Sequence, residues 1–402
     1  MEFTIHNQVL LTVFLTAAVM GAVVNKTNFC TMGAVSDWVN MEDLGRMRAW
    51  ILAIAVAMLG VVILEASGTI TLPNDTFPPY RTANFAWLRY VLGGVMFGIG
   101  MTLGSGCGNK TLIRVGSGNL KSVFVLIVTA FMAYLMLWGE DPFAPGEGIF
   151  TNYFSPWIDP TTIDLSSRGF NSQELGALVG GVMGQEDTSG YHTGIGLLVG
   201  LGLLFFVFKS SEFRSSFEKI LGGVVVGAAV LIGWYITGGS IGVEWKDYAD
   251  FAPEIPSRVA VQSYTFISPM GDSFRYALQP DKLSFVNFGV MALVGVIAGS
   301  LIYSLFSRTF RIEWFANKSD VINHAAGGVL MGVGGVLSMG CTVGQGITGV
   351  STLALGSFLA FVSIVFGSAL TMKVQFAMMD DIGFFAALRN SLAEMKLMPT
   401  AK

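Results

Sequence analysis

Gly93-Gly94-Val95-Met96-Phe97-Gly98-Ile99-Gly100-Met101-Thr102-Leu103-Gly104-Ser105-Gly106-Cys107 returns 234 positions later as Gly327-Gly328-Val329-Leu330-Met331-Gly332-Val333-Gly334-Gly335-Val336-Leu337-Ser338-Met339-Gly340-Cys341. Eight of the fifteen aligned positions are identical, and each copy closes on one of the chain's three cysteines. The third, Cys30, ends Asn25-Lys26-Thr27-Asn28-Phe29-Cys30, and the tripeptide Asn-Lys-Thr recurs beside Cys107 as Asn109-Lys110-Thr111. Two repeated glycine-rich segments ending in a cysteine suggest two halves of one membrane pathway.

The bulk composition fits that setting. Of the 402 residues 52% are hydrophobic and 12% charged, with a mean hydropathy of +0.62. A soluble domain carries about 25% charged residues, so the composition predicts an all-α polytopic membrane protein. Its 50 glycines suit membrane helices that pack at short range. A net charge of −4 without a basic cluster excludes a nucleic-acid partner; membrane lipid is the expected surround. Three cysteines without a CxxC pair exclude a disulfide framework and a zinc ribbon. The start, MEFTIHNQ, lacks a basic n-region, so the first apolar stretch is expected to remain in the mature protein.

Apolar runs suited to a bilayer fall at nine places: 8–24, 49–66, 91–106, 119–138, 192–208, 219–238, 285–305, 324–339 and 352–373. Segment 174–184 reads as a partial or re-entrant helix, and 31–41 and 383–396 as short helices near the membrane surface. With odd-numbered spans running inward, fifteen Lys and Arg residues lie on the cytoplasmic side and seven outside. The positive-inside rule then puts the N-terminus outside and the C-terminus in the cytoplasm. The two glycine-rich copies enter from opposite sides, so broken or re-entrant helices are expected in an inverted repeat. The first membrane half is 1–174, with external loops 67–90 and 139–173. The second is 175–402, with external loop 239–284 and a cytoplasmic tail, 374–402. The outer loops are acidic, and an anion arriving there would need Arg81, Arg89 or Arg258.

Each interior glycine costs a helix about 1 kcal/mol relative to alanine. The helices are therefore expected to break near mid-membrane, with Cys107 and Cys341 on irregular backbone at Gly104–Thr111 and Met339–Gly346. Such backbone is tolerated at membrane depth only inside protein or lining a polar cavity, and the N–H groups it frees favour an anion. Lys26 and Lys110 are ionisable groups near that depth, which marks them as functional candidates. A buried cysteine ordinarily behaves as a small hydrophobe; three in glycine-rich breaks, two of them matched across a repeat, argue for a path lined by thiols. The candidate path residues are Cys30, Cys107, Cys341, Lys26, Lys110, Gly106, Gly108, Gly340, Thr342 and Gln345. His6, His192 and His324 are scattered, and neither a histidine nor a carboxylate neighbours a cysteine, so hydrolytic acid–base chemistry has no basis and no cofactor or metal centre is implied. Gly108-Asn109-Lys110-Thr111 ends like a phosphate-binding loop, but Asn109 stands in place of its glycine, so ATP hydrolysis is not expected of this chain.

At these residues the chain resembles the YeeE/YedE family of sulfur-compound transporters. The resemblance rests on Asn28-Phe29-Cys30-Thr31-Met32-Gly33-Ala34, on Gly104-Ser105-Gly106-Cys107-Gly108 and on Ser338 through Gly346, with a shorter match at Tyr264-Thr265-Phe266-Ile267-Ser268-Pro269. It covers about 8–138 and 220–373. It implies a narrow central path through an inverted-repeat helical fold in the bacterial inner membrane, along which thiosulfate is relayed past the thiols of Cys30, Cys107 and Cys341. It also implies a cytoplasmic sulfur-carrier protein as partner. The large outer loops, 139–191 above all, depart from shorter members. Two other chemistries use the same thiols: a redox or persulfide-handling protein, with lysines lowering a thiol pKa, and a permease for selenium compounds or a soft metal ion, to which Met32 and Met339 are suited.

Overall fold

The computed structural model describes residues 4–141, 144–185, 187–380 and 382–398; the end of the expected tail, from 399 onward, lies outside the described residues. The first half holds α1 (Ile5–Thr27), α2 (Thr31–Met41), α3 (Gly45–Ala66), α4 (Trp87–Leu103), α5 (Gly108–Gly116) and α6 (Leu120–Leu137). α7 (Ser155–Ile158), α8 (Leu175–Val182), α9 (Ser189–Phe208) and α10 (Ser211–Ser215) follow. Then come α11 (Phe217–Gly238), α12 (Ser240–Phe251), α13 (Ile267–Leu278), α14 (Phe288–Phe306) and α15 (Lys318–Leu337). A six-residue π-helix (Gly344–Gly349), α16 (Leu355–Met378) and α17 (Phe384–Glu394) complete the chain. Among the described residues nine helical stretches are long and apolar enough to cross a membrane, at the places hydropathy marked. The protein is an all-α multi-pass membrane protein. Among the described residues strand is almost absent; a two-residue pair, Asn84–Phe85 with Ile163–Asp164, ties two of the long loops together.

Asparagines start the long helices after the loops. Asn119, Asn287 and Asn317 each accept the backbone N–H three residues on, at 2.9, 3.1 and 2.9 Å, satisfying one of the donors a helix start leaves open. α9 turns Leu198, Leu201 and Phe205 outward, a face suited to lipid.

The glycine-rich copies explain the centre of the bundle. α4 lies against both α15 and α16, and α15 against α4 and α6. α4 and α15 cross through their glycines in a reciprocal way. A Cβ on Gly93 would stand 2.8 Å from the Gly334 carbonyl oxygen, and one on Gly334 2.8 Å from that of Gly93. Gly100 and Gly327 stand in the same relation, again at 2.8 Å each way. By alignment Gly93 corresponds to Gly327 and Gly100 to Gly334, so each contact is the other's counterpart. The rest of the packing follows suit: α1 runs along α14 as α11 runs along α3, and α5 packs on α14 as the π-helix packs on α3.

Stretch 239–284 holds α12 and α13. Tyr264, Phe266 and Ile267 are fully buried, and α13 packs on α6, α14 and α15. The sequence there alternates polar and aromatic residues, so no apolar run announced this burial. Arg81 and Arg258 also differ from free anion-binding groups. Arg81 is buried and bonds both oxygens of Glu65 at 2.7 Å. Arg258 lies 2.8 Å from Asp272 and over the rings of Phe77 and Trp138. His192 bridges Glu65 and Glu174 at 3.0 and 3.1 Å. Burial acts to raise the Glu174 carboxyl, but His192 and the N–H groups of Gly176 and Ala177 outweigh it and hold it below the ordinary value. Arg81 also donates to the Thr352 carbonyl at 3.1 Å, so this network clamps the segment before α8 onto the segment after the π-helix. Arg81→Met leaves Glu65 buried with one cationic neighbour fewer; a loss of about 3 kcal/mol or more is expected as a lowered unfolding midpoint in detergent.

Candidate functional site

The three cysteines share one local fold. In each case a long helix ends in a residue of left-handed conformation two positions before the cysteine: Asn28 at φ 54°, Ser105 at φ 60° and Met339 at φ 56°. In each case the following N–H returns to the last turn: Phe29 to Val24 at 3.3 Å, Gly106 to Met101 at 2.8 Å, Gly340 to Gly335 at 2.8 Å. This is the six-to-one bond of a Schellman motif, here turned by Asn, Ser and Met where glycine is the cheaper residue. Non-glycine residues in this region cost about 1–3 kcal/mol and collect at functional sites.

Beyond the turn the cysteine stands at the start of the next short helix, and at Cys30 and Cys341 its sulfur receives the N–H three residues on. Gly33 N–H reaches Cys30 Sγ at 3.4 Å and Gly344 N–H reaches Cys341 Sγ at 3.4 Å; Cys107 also starts its helix, without a side-chain cap bond. Cys30-Thr31-Met32-Gly33 and Cys341-Thr342-Val343-Gly344 are thus one motif, with glycine donating back to the thiol.

The breaks converge. All three thiols are free and buried, with Cys107 in the middle. Its sulfur faces the Cys30 thiol and takes a hydrogen bond from the Thr31 hydroxyl at 3.9 Å. The Thr342 hydroxyl approaches the same sulfur without reaching a hydrogen-bonding geometry with any atom. Cys341 lies within electrostatic reach of Cys107, and its sulfur also meets the Phe266 N–H. The fourth break, before α13, closes the cluster: a Cβ on Gly108 would touch Ile267 Cδ1 at 3.3 Å, and one on Gly344 would collide with Thr265 Oγ1. Tyr80 lies within reach of Cys341 on one side, and Lys110 within reach of Cys30 and Cys107 on the other.

The expected site residues distribute as follows. Cys30, Cys107, Cys341, Thr342 and Lys110 come together. Lys110 donates from Nζ to Asn28 Oδ1 at 2.5 Å. Gln345 is buried, donating to the Ser338 carbonyl at 2.5 Å, with its amide oxygen unpartnered. Gly340 gives room to the Gln345 chain, 3.1 Å from a notional Cβ, and Gly106 to that of Lys110, at 3.2 Å. Lys26 stands apart, exposed on the last turn of α1. Thr265 stands in the stretch Tyr264–Pro269 that carries the resemblance but was not among the expected site residues, and neither was Tyr80; both lie in loops, and for Thr265 a further signal was its place just before a helix start, like the cysteines.

Comparison with known proteins gives a concordant result. The profile of a family described as sulphur transport matches residues 26–370. The thiosulfate transporter TsuA of Escherichia coli is 24% identical over 360 residues, covering 87% of this chain and 90% of that protein. The protein of the same name from Spirochaeta thermophila is 23% identical over 366 residues, covering 87% and 93%.

Proposed function

The chain belongs to the sulphur transport family, and from that premise we propose that it carries thiosulfate inward across the bacterial inner membrane, past Cys341, Cys107 and Cys30 in turn. The observation that carries this reading is the meeting of three buried thiols, each at the start of a short helix, with a backbone N–H held on the sulfurs of Cys30 and Cys341. An N–H given to a sulfur polarises the thiol and strengthens its S–H as a donor. A thiol is a weak donor, so each station holds a soft anion loosely enough to pass it on. The helix starts of α2 and α5 add positive dipole ends, and Lys110, near Cys30 and Cys107, draws the anion toward the inner end. Lys26 acts outside the thiol cluster, at the same mouth.

In this reading the halves form an inverted repeat. α1, α2 and α3 answer to α11, α13 and α14; α4, α5 and α6 answer to α15, the π-helix and α16. The N-terminus lies outside and the C-terminal tail inside, where a soluble sulfur-carrier protein receives the cargo. A second reading, thiol redox chemistry, is favoured by the contact between Cys30 and Cys107.

The test is uptake of labelled thiosulfate by cells lacking other importers, comparing wild type with Cys30→Ala, Cys107→Ala and Cys341→Ala. Uptake by the wild type and its loss in the variants is expected. Uptake that survives all three substitutions removes the relay; transport of a selenium oxyanion or a soft metal ion in place of thiosulfate moves the substrate.

A further inference from the structure

Threonine hydroxyls around the breaks are, as a rule, occupied. Thr31 donates to Cys107 Sγ, Thr111 to the Cys107 carbonyl at 3.1 Å, Thr348 to the Tyr264 carbonyl at 2.6 Å and Thr352 to the Gly349 carbonyl at 2.8 Å. Thr265 and Thr342 are the departures. Both are more than nine-tenths buried, and neither hydroxyl has a hydrogen-bond partner. A buried hydroxyl without a partner forfeits the full cost of its desolvation, and native sites leave few such groups. The two flank Cys341 closely. Thr342 follows it in the chain and approaches the Cys107 sulfur; Thr265 sits on the Cα of Gly344, whose N–H serves Cys341 Sγ. Of the other unpartnered atoms nearby, the amide oxygens of Asn109 and Gln345 are acceptors and repel an oxyanion, so they stand outside this group, while the hydroxyls of Tyr80, within reach of Cys341, and Ser268 are further donors at its edge.

Thiosulfate has two chemically distinct ends. Its terminal sulfur is soft and suits a thiol; its three oxygens are hard acceptors and suit hydroxyls. We propose that Thr265 and Thr342 form the oxygen subsite of the path, holding the sulfonate end while the thiols of Cys107 and Cys341 hold the terminal sulfur. The anion is thereby oriented, and α13 is a binding element. This rests on the thiosulfate reading and adds to it a residue from the second half that no cysteine motif contains.

The test is the concentration dependence of thiosulfate uptake in Thr265→Val, Thr265→Ser and Thr342→Val, beside wild type. Valine keeps the shape of threonine and removes the donor; serine keeps the donor. For Thr265→Val and Thr342→Val a KM raised about tenfold or more is expected, with Thr265→Ser near wild type. A purely structural role for Thr265 predicts the reverse: the smaller serine harms, and valine does not. Purified protein supplies the second readout, since thiosulfate is expected to raise the unfolding midpoint of wild type and Thr265→Ser but much less that of Thr265→Val. Wild type that takes up no thiosulfate overturns the reading beneath. Wild-type uptake with an unchanged KM in Thr265→Val, and an unchanged thiosulfate-dependent midpoint, overturns this inference alone.

Discussion

Cys107→Ala is expected to reduce thiosulfate uptake by about a hundredfold, the largest loss among the three thiols, with the protein still present in the membrane. Cys107 is where the cluster joins: the Thr31 hydroxyl donates to its sulfur, and the Cys30 thiol and the Thr342 hydroxyl stand beside it. Alanine removes the acceptor of the Thr31 hydroxyl and the donor that meets the anion at once. A hydrogen bond to a charged partner contributes about 1.5–3 kcal/mol, or roughly 10- to 150-fold in a binding constant. The stranded Thr31 hydroxyl adds its own desolvation. Cys30 and Cys341 are end stations with fewer such neighbours, so smaller losses are expected there. Initial rates of labelled uptake, normalised to protein in the membrane fraction, decide the matter; a Cys107→Ala rate within twofold of wild type refutes a relay through this sulfur.

The second large effect is on folding. Gly100→Leu and Gly327→Leu are each expected to abolish a stable protein. At both positions the first side-chain carbon would lie 2.8 Å from a carbonyl oxygen of the facing helix, and the neighbour is backbone, which cannot rotate away. Overpacking in a tight core costs about 1–3 kcal/mol when the surroundings can give; here α4 and α15 would have to separate and take α6 and α16 with them. Gly202→Leu on α9 is the control, because nothing lies within 4 Å of a Cβ there. Size-exclusion profiles of fluorescent fusions should show a normal peak for Gly202→Leu and almost none for the other two. A normal peak for Gly327→Leu would mean that the close crossing is dispensable.

Hydropathy alone located all nine spans, because a bilayer demands length and apolarity of each crossing segment separately. The breaks at Cys30, Cys107 and Cys341 were legible because glycine density and the recurrent cysteine coincide. How the chain turns at those breaks was not. Glycine was the natural choice for the left-handed residue, yet Asn28, Ser105 and Met339 occupy it, while Gly106 and Gly340 leave room for neighbouring side chains and Gly100 and Gly327 serve the helix crossing. Those are tertiary demands, which local propensity does not encode. The fourth break, at Thr265–Ile267, escaped because its helix is short and mixed in polarity. Arg81 and Arg258 read as open cations for a similar reason: Glu65 and Asp272, which neutralise them, lie at sequence distances where charge pattern carries no pairing information. Lys26 has the sequence context of Lys110 but ends a helix on an exposed turn.

The reciprocal crossing of α4 and α15 has an architectural consequence. Two identical subunits meeting this way would be forced to present the same chemistry at both mouths, since each change would appear twice. Joining both copies in one polypeptide frees the flanking segments to diverge while the shared glycines stay fixed. One flank places a thiol with a lysine nearby, Cys30 and Lys110; its counterpart places the hydroxyl of Thr265. In the path proposed above, what would otherwise be a palindrome thereby acquires a front and a back, without disturbing the joint at its centre.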